Sequence, residues 1–481
     1  MKQTSLIRPH AMGRILPSLL SLTLMLFAVS CGMVTTPPSS MAPKAQQSTV
    51  QFKIGDSPAD RVFAFEVTLG PISLTPDTGA PVTILSGTQR VELSHLSATS
   101  VPLSVLSIPQ GSYRSASIGV ANPEITFLNS AGQVQHIEPA FNQTITIDFN
   151  PSLAISASSV VSIDLDISKA LSFDAQGNPT GVNLNAASFS VGSAAVAGND
   201  RQSDDDGELE DTTGTITAVN GTSFTLSVTQ TGAVLMFTTD ANTEFRDGAS
   251  LAVNTMVTVD GITRMDGTLY AARVEGSEDE SGAEAEGLIT AVAGNPATSL
   301  TLVADEESGK GMASGVGSMV TANVSNAQFL VDAGDIDTAG IGGLPSAPEF
   351  PFSASTVHAG QRVQLESKES EVESSGSEDE DGGKGGSLQG DKVRLQQQTL
   401  VGTVSGLQSP ANAGPVTLTL TVASDSAFAM LSGQTQVMVF WQPGTDLKNL
   451  SAVSNGQTIR VRGLVFYTGT GFNMVARRIT N

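Results

Sequence analysis

Three features of the 481 residues predict an all-β chain. Apolar residues fall in short runs broken by Gly, Pro, Asn and Asp. Val, Thr and Ser are abundant beside 48 glycines. The last half of the chain reads like itself three times over. Together these predict a β-sandwich over residues 50–197, followed by three small β-barrel repeats at 212–275, 287–396 and 400–481.

The chain opens with Lys2, Arg8 and Arg14 and no acid, then runs uncharged from Ile15 to Ser30. A basic start, a short apolar run and small residues predict an export signal over 1–30, too short for a comfortable membrane span. Ala28-Val29-Ser30-Cys31 resembles the bacterial lipoprotein signal, although leucine is commoner where Ala28 stands. The resemblance implies cleavage before Cys31, acylation of its thiol and of the new amine, and a lipid-anchored protein. By analogy with enterobacterial sorting, Gly32 in place of an aspartate favours the outer membrane over the inner. Residues 31–49, with Pro37, Pro38 and Pro43, read as a flexible tether. Cys31 is the only cysteine, so disulfides within the chain and cysteine metal sites are excluded.

Within 50–197, strands are expected at 50–54, 62–69, 71–74, 82–85, 90–93, 113–120, 125–128, 144–149, 160–167 and 187–191, with a short helix or crossover over 96–106. Ile54-Gly-Asp-Ser-Pro-Ala-Asp60, Ile108-Pro-Gln-Gly-Ser-Tyr113 and the segment from Ser162 to Leu171 resemble a domain of unknown function at the N-terminus of many envelope lipoproteins. That resemblance implies a sandwich of the transthyretin or immunoglobulin sort and brings no activity. Two carboxylate pairs stand out, Asp56 with Asp60 in one loop and Asp164 with Asp166 on one strand face. Oxygen clusters of this kind suit calcium, but a turn and a solvated sheet face explain them as well.

The three repeats open alike, at Gly214-Thr-Ile-Thr-Ala-Val219, Gly287-Leu-Ile-Thr-Ala-Val292 and Gly402-Thr-Val-Ser-Gly-Leu407. A late strand recurs after Asn254, Gly360 and Gly456, and the closing strand mixes apolar residues with Arg or Lys. Five short strands per unit predict OB-like barrels. The units resemble a second bacterial domain of unknown function, with repeat two departing most through insertions at 305–317, 333–355 and 367–390. Trp441, the only tryptophan, reads as a core or loop anchor.

The net charge of −23 is concentrated, because twenty of the 47 acids lie in runs at 204–211, 275–286 and 366–381. Residues 198–211 and 276–286 read as acidic linkers that stay solvated. Asp204, Asp206 and Glu208 have the alternate spacing of a calcium loop but lack its full twelve-residue pattern. They are the candidate metal ligands, and calcium is the one candidate cofactor.

No basic stripe offers phosphates a partner, so no nucleic-acid partner is expected. His95, His136 and His358 lie far apart, each without a metal-binding His-x-x-x-His spacing. No nucleophile elbow, phosphate loop or dinucleotide fingerprint occurs. The expectation is a non-enzymatic envelope lipoprotein, a binding or structural module for an envelope protein or glycan. A calcium-binding protein acting through its acidic linkers and a polymer hydrolase are the alternatives.

Overall fold

Val50, Phe52 and Ile54 alternate with Gln51 and Lys53, which turns the apolar set to one face of an extended chain. This segment is β1 (Gln47–Ser57). The structure is a computed structural model that describes residues 46–57, 59–96, 100–196, 208–246, 248–276, 283–309, 315–334, 336, 341–344, 349–368, 386–409, 415–448 and 450–481. Among the described residues no helix is long and apolar enough to cross a membrane.

The sandwich continues through β2 (Val62–Pro76), β3 (Val82–Leu85), β4 (Gln89–Glu92), β5 (Ser100–Pro109), β6 (Gly111–Leu128), β7 (Val134–Ile137), β8 (Asn142–Ile155) and β9 (Ser159–Asp166). A single turn, α1 (Ile167–Ala170), leads to β10 (Leu171–Phe173), β11 (Pro179–Val182) and β12 (Phe189–Ala195). One sheet has the order β12-β9-β1-β5; the other runs β3-β2-β6-β7, with β4 also on β2 and β8 also on β6. Phe52, Phe65, Val67, Leu69, Ile118 and Ile163 meet between the sheets in one core. Of the short helix or crossover expected over 96–106, the structure has the crossover: a 3-10 turn ends at Leu96, and β5 joins the other sheet. As the last strand of its sheet, β5 tolerates Pro102 and Pro109.

Each acidic linker ends earlier than its charge implies. Strand β13 (Glu208–Asn220) begins inside 198–211, because Leu209 is 1% exposed in the first barrel's core. Likewise Ala283 and Ala285 are buried while Glu284 and Glu286 lie on the other face, so the second linker's last residues are strand. The tether shortens too, since β1 already starts at Gln47.

The first barrel adds β14 (Ser223–Val228), β15 (Val234–Thr238), β16 (Glu244–Arg246), β17 (Met256–Thr263) and β18 (Leu269–Gly276) to β13. The second comprises β19 (Ala283–Gly294), β20 (Ala297–Gly309), β21 (Met319–Asn323), β22 (Gln328–Val331), β23 (Arg362–Ser367), β24 (Gly386–Gln389) and β25 (Lys392–Leu395). The third has β26 (Gln397–Gln408), β27 (Val416–Val422), β28 (Gln436–Leu447), β29 (Thr458–Tyr467) and β30 (Phe472–Thr480), with the helix α2 (Ala427–Ser432) between β27 and β28.

All three follow one circuit. The opening strand pairs antiparallel with the second strand and with β17, β23 or β29, and the third strand runs parallel to β18, β24 or β30. In the third repeat this closes a barrel of order β26-β27-β28-β30-β29. The same turn precedes β17, β23 and β29. Asn254, Gly360 and Gly456 take φ of 68°, 90° and 83°, and their N–H groups donate to Ile216, Ile289 and Val404 of the opening strands. Only glycine or asparagine adopts that conformation at little cost.

The glycines that begin each repeat answer a different need. A Cβ on Gly214, Gly287 or Gly402 would lie 2.4, 1.8 or 2.6 Å from a carbonyl oxygen of the neighbouring strand. Gly287→Ala is therefore expected to destabilise the protein by about 1–3 kcal/mol, read as a lower urea midpoint. An unchanged midpoint would mean that the opening strand does not hold this close register.

The units interlock. Thr263 of the first barrel donates to the buried Gln51 of the sandwich at 2.6 Å, and Thr231 donates to the Pro102 carbonyl at 2.7 Å. Phe63 and Leu128 of the sandwich pack with Val303 of the second barrel and Ala427 of α2. Leu464, Phe466 and Val475 of the third barrel complete the second barrel's core.

Candidate functional site

On the outer face of the second sandwich sheet, glutamates stand side by side. Glu66 of β2 is directly opposite Glu92 of β4 on one side and Glu124 of β6 on the other. Directly paired residues point to the same face, and like charges so placed repel. The molecule answers with cations. Arg90 lies 3.0 Å from Glu66 and also pairs with Glu124. Burial nonetheless raises the Glu66 pKa, against the pull of Arg90.

Glu92 is buried at the inner end of this row. Burial alone would raise its pKa, but His95, Ser94 and the Phe65 N–H all donate to it and hold it below the usual range. His95 is fixed on both sides, by Glu92 at Nδ1 and by Gln230 of the first barrel, 2.9 Å from Nε2. The row then meets the second barrel. There Arg362 is bidentate to Asp305 and donates to Glu286 at 2.8 Å. Burial pushes the Asp305 carboxyl up to about 7, although Arg362 pulls it down. The guanidinium stays charged, since its carboxylate partners outweigh its burial.

Between the sandwich and the second and third barrels lies a cavity of about 140 Å³, lined by Asp60, His95, Asp305, Arg362, Arg462 and Phe428 among others. Its walls offer both hydrogen-bond donors and acceptors beside apolar surface. Asp60 is pushed up by burial and by Asp425. Burial pulls Arg462 down, opposed by Asp211 and Glu210.

Behind Arg462, charges join the first and third barrels. Glu210 accepts from Arg478 at 2.8 Å and Arg477 at 3.1 Å, and Arg478 also donates to Asp446 at 3.0 Å. Asp211 borders this cluster, its N–H donating to Asp260 Oδ1 at 2.9 Å.

Of the residues singled out in the sequence, Cys31, Asp204 and Asp206 lie outside the described residues. Glu208 opens β13, opposite Ile262, so its backbone belongs to the sheet. The carboxylate pairs regroup. Parallel pairing of β1 with β9 sets Asp56 beside Asp164 and Asp166, whereas Asp60 faces the cavity. Asp166 caps α1 and holds Lys169 at 2.6 Å. Sequence reading missed the glutamate row, because nothing local pairs residues 66, 92 and 124.

A sandwich followed by OB-like barrels is thus the class the strand order defines. Residues 213–275, within the first barrel, match the domain of unknown function DUF5666. No curated protein matches the chain. Two solved structures align weakly. A Drosophila Unr fragment, CSD456, is 9% identical over 56% of this chain and 95% of its own, with a TM-score of 0.12. A multidomain protein with nucleic acid binding domains from Streptococcus pneumoniae is 10% identical over 56% of this chain and 72% of its own, at a TM-score of 0.10. At these scores neither bears on ligand or activity.

Proposed function

We propose that this protein is an envelope lipoprotein, anchored through Cys31, that serves as a non-enzymatic binding or structural module for an envelope protein or a glycan. The observation that carries this reading is the interlocking of the sandwich with the barrels through buried side chains, above all Glu210 with Arg478. Such joints favour a rigid scaffold that presents one composite surface over separate modules that bind singly. Anchoring raises the effective concentration of that surface at the membrane, so modest contacts suffice. With its acid excess and no basic stripe, the chain is not expected to bind nucleic acid.

Two results test this. Cys31→Ala should move the protein from the membrane fraction to the periplasm or medium, and should abolish labelling by radioactive palmitate. Crosslinking followed by affinity capture of the membrane-attached form should recover the same envelope protein or glycan in replicate preparations. Recovery of none would count against the module reading, and continued palmitate labelling of the variant would remove Cys31 as the anchor.

A further inference from the structure

The glutamate row has an outer end that the cavity does not use. Thr126 of β6 is directly opposite His136 of β7, and Glu138 follows two residues on, beside Glu124. One ligand atom each from Glu124, His136 and Glu138 lies within 4.8 Å of the others. His136 Nε2 is 3.4 Å from Glu138 Oε1. A tetrahedral zinc ion with bonds of about 2.0–2.1 Å spaces its ligand atoms about 3.3 Å apart.

The second barrel sets the tautomer of the imidazole. Thr126 has one hydroxyl proton, and the Gly317 carbonyl, which can only accept, lies 3.1 Å from it. The hydroxyl oxygen therefore accepts from His136 Nδ1, 3.0 Å away, so the proton of a neutral ring sits on Nδ1. This directs the Nε2 lone pair of the neutral ring toward the Glu138 carboxylate, 3.4 Å away, where a metal ion can take both as ligands. An orienting hydrogen bond on the other ring nitrogen is the usual support of a metal-bound histidine.

We propose that Glu124, His136 and Glu138 form a binding site for a divalent metal of the zinc class, with Thr126 as its positioning residue. Arg90 takes one oxygen of Glu124, and a carboxylate has two. A nitrogen ligand among two carboxylates selects zinc-like ions over calcium and magnesium, which prefer all-oxygen shells. Three protein ligands leave a fourth position for water or a donor from a partner.

The test is competition for zinc between a chromophoric chelator and the full-length protein in detergent. Any thiol left unmodified at Cys31 is blocked by alkylation, and 150 mM salt with millimolar calcium suppresses weak association with the acidic runs. One zinc ion per chain should bind at micromolar affinity or better, weakened at least tenfold by His136→Gln and by Glu138→Gln. Both variants should melt like the parent without zinc, which separates loss of ligand from loss of fold. Absence of saturable zinc binding, or equal affinity in His136→Gln, would overturn the proposal.

Discussion

Arg478→Ala should cost about 3–5 kcal/mol of stability in urea at pH 7, the loss typical of breaking a buried ion pair by removing one partner. Arg478 is 2% exposed and directly opposite Arg462 across β29 and β30. The buried Arg478 and the half-buried Arg462 persist side by side because Glu210, Asp211 and Asp446 surround them. Removing Arg478 takes from Asp446 its 3.0 Å partner and from Glu210 the closer of two. The joint between the first and third barrels then carries partly buried negative charge with less compensation. Pairing Arg478→Met with Glu210→Gln should restore much of the loss, since apolar or neutral replacement of a whole buried pair is often tolerated. A loss below about 1 kcal/mol for Arg478→Ala would mean that the pair is effectively solvated.

Asp56→Asn should act in the opposite direction. Asp56 is 5% exposed, and neither carboxylate oxygen has a partner within hydrogen-bond geometry among the described residues. Burial pushes its pKa well up, with Asp164 and Glu92 adding to the rise, while the Ile167 N–H directed toward it works the other way. An acid with a raised native pKa binds its proton more tightly when folded. Stability therefore falls as pH rises from the unfolded value of about 3.9 through the folded one. Asp60, Glu66, Asp305 and Asp332 are shifted the same way, Asp305 up to about 7. Glu92 and Asp166 are shifted down, and their contribution is lost only as pH falls below about 4. The melting temperature of the parent should accordingly be higher at pH 5.5 than at pH 8. The asparagine variant should gain on the order of 1–3 kcal/mol at pH 8 and show a shallower decline with pH. A variant that is less stable than the parent at pH 8 would place a compensating cation beside Asp56.

Much of the fold was legible because β structure writes itself as alternation. Val50-Gln-Phe-Lys-Ile54 and the repeated Gly-x-Ile-Thr-Ala-Val openings carry their own period, and the strands lie where that period predicts. Charge obscured the same signal where the two overlapped. Glu208-Leu-Glu and Ala283-Glu-Ala-Glu286 alternate as plainly as any strand, but a run of acids reads first as a solvated linker. The leucines between 96 and 106 left helix and crossover open for another reason, since an edge strand with two prolines resembles neither regular element. The candidate site was hardest to see. Glu66, Glu92 and Glu124 share a face only through sheet register, and Glu210 meets Arg477 across 267 residues of chain. One local clue existed, the His136-x-Glu138 spacing on a strand, which places both side chains on the same face.

Central to this account is the interlocking of the sandwich and the barrels into one scaffold. Trp441, the single tryptophan, sits in β28 and packs against the third barrel's core, so its fluorescence reports that barrel alone. Far-ultraviolet circular dichroism reports every strand. Urea transitions followed by the two signals on one sample should coincide in midpoint and slope, as cooperative unfolding requires. A tryptophan transition clearly separated from the circular dichroism transition would show that the third barrel unfolds by itself, and would contradict the interlocked scaffold.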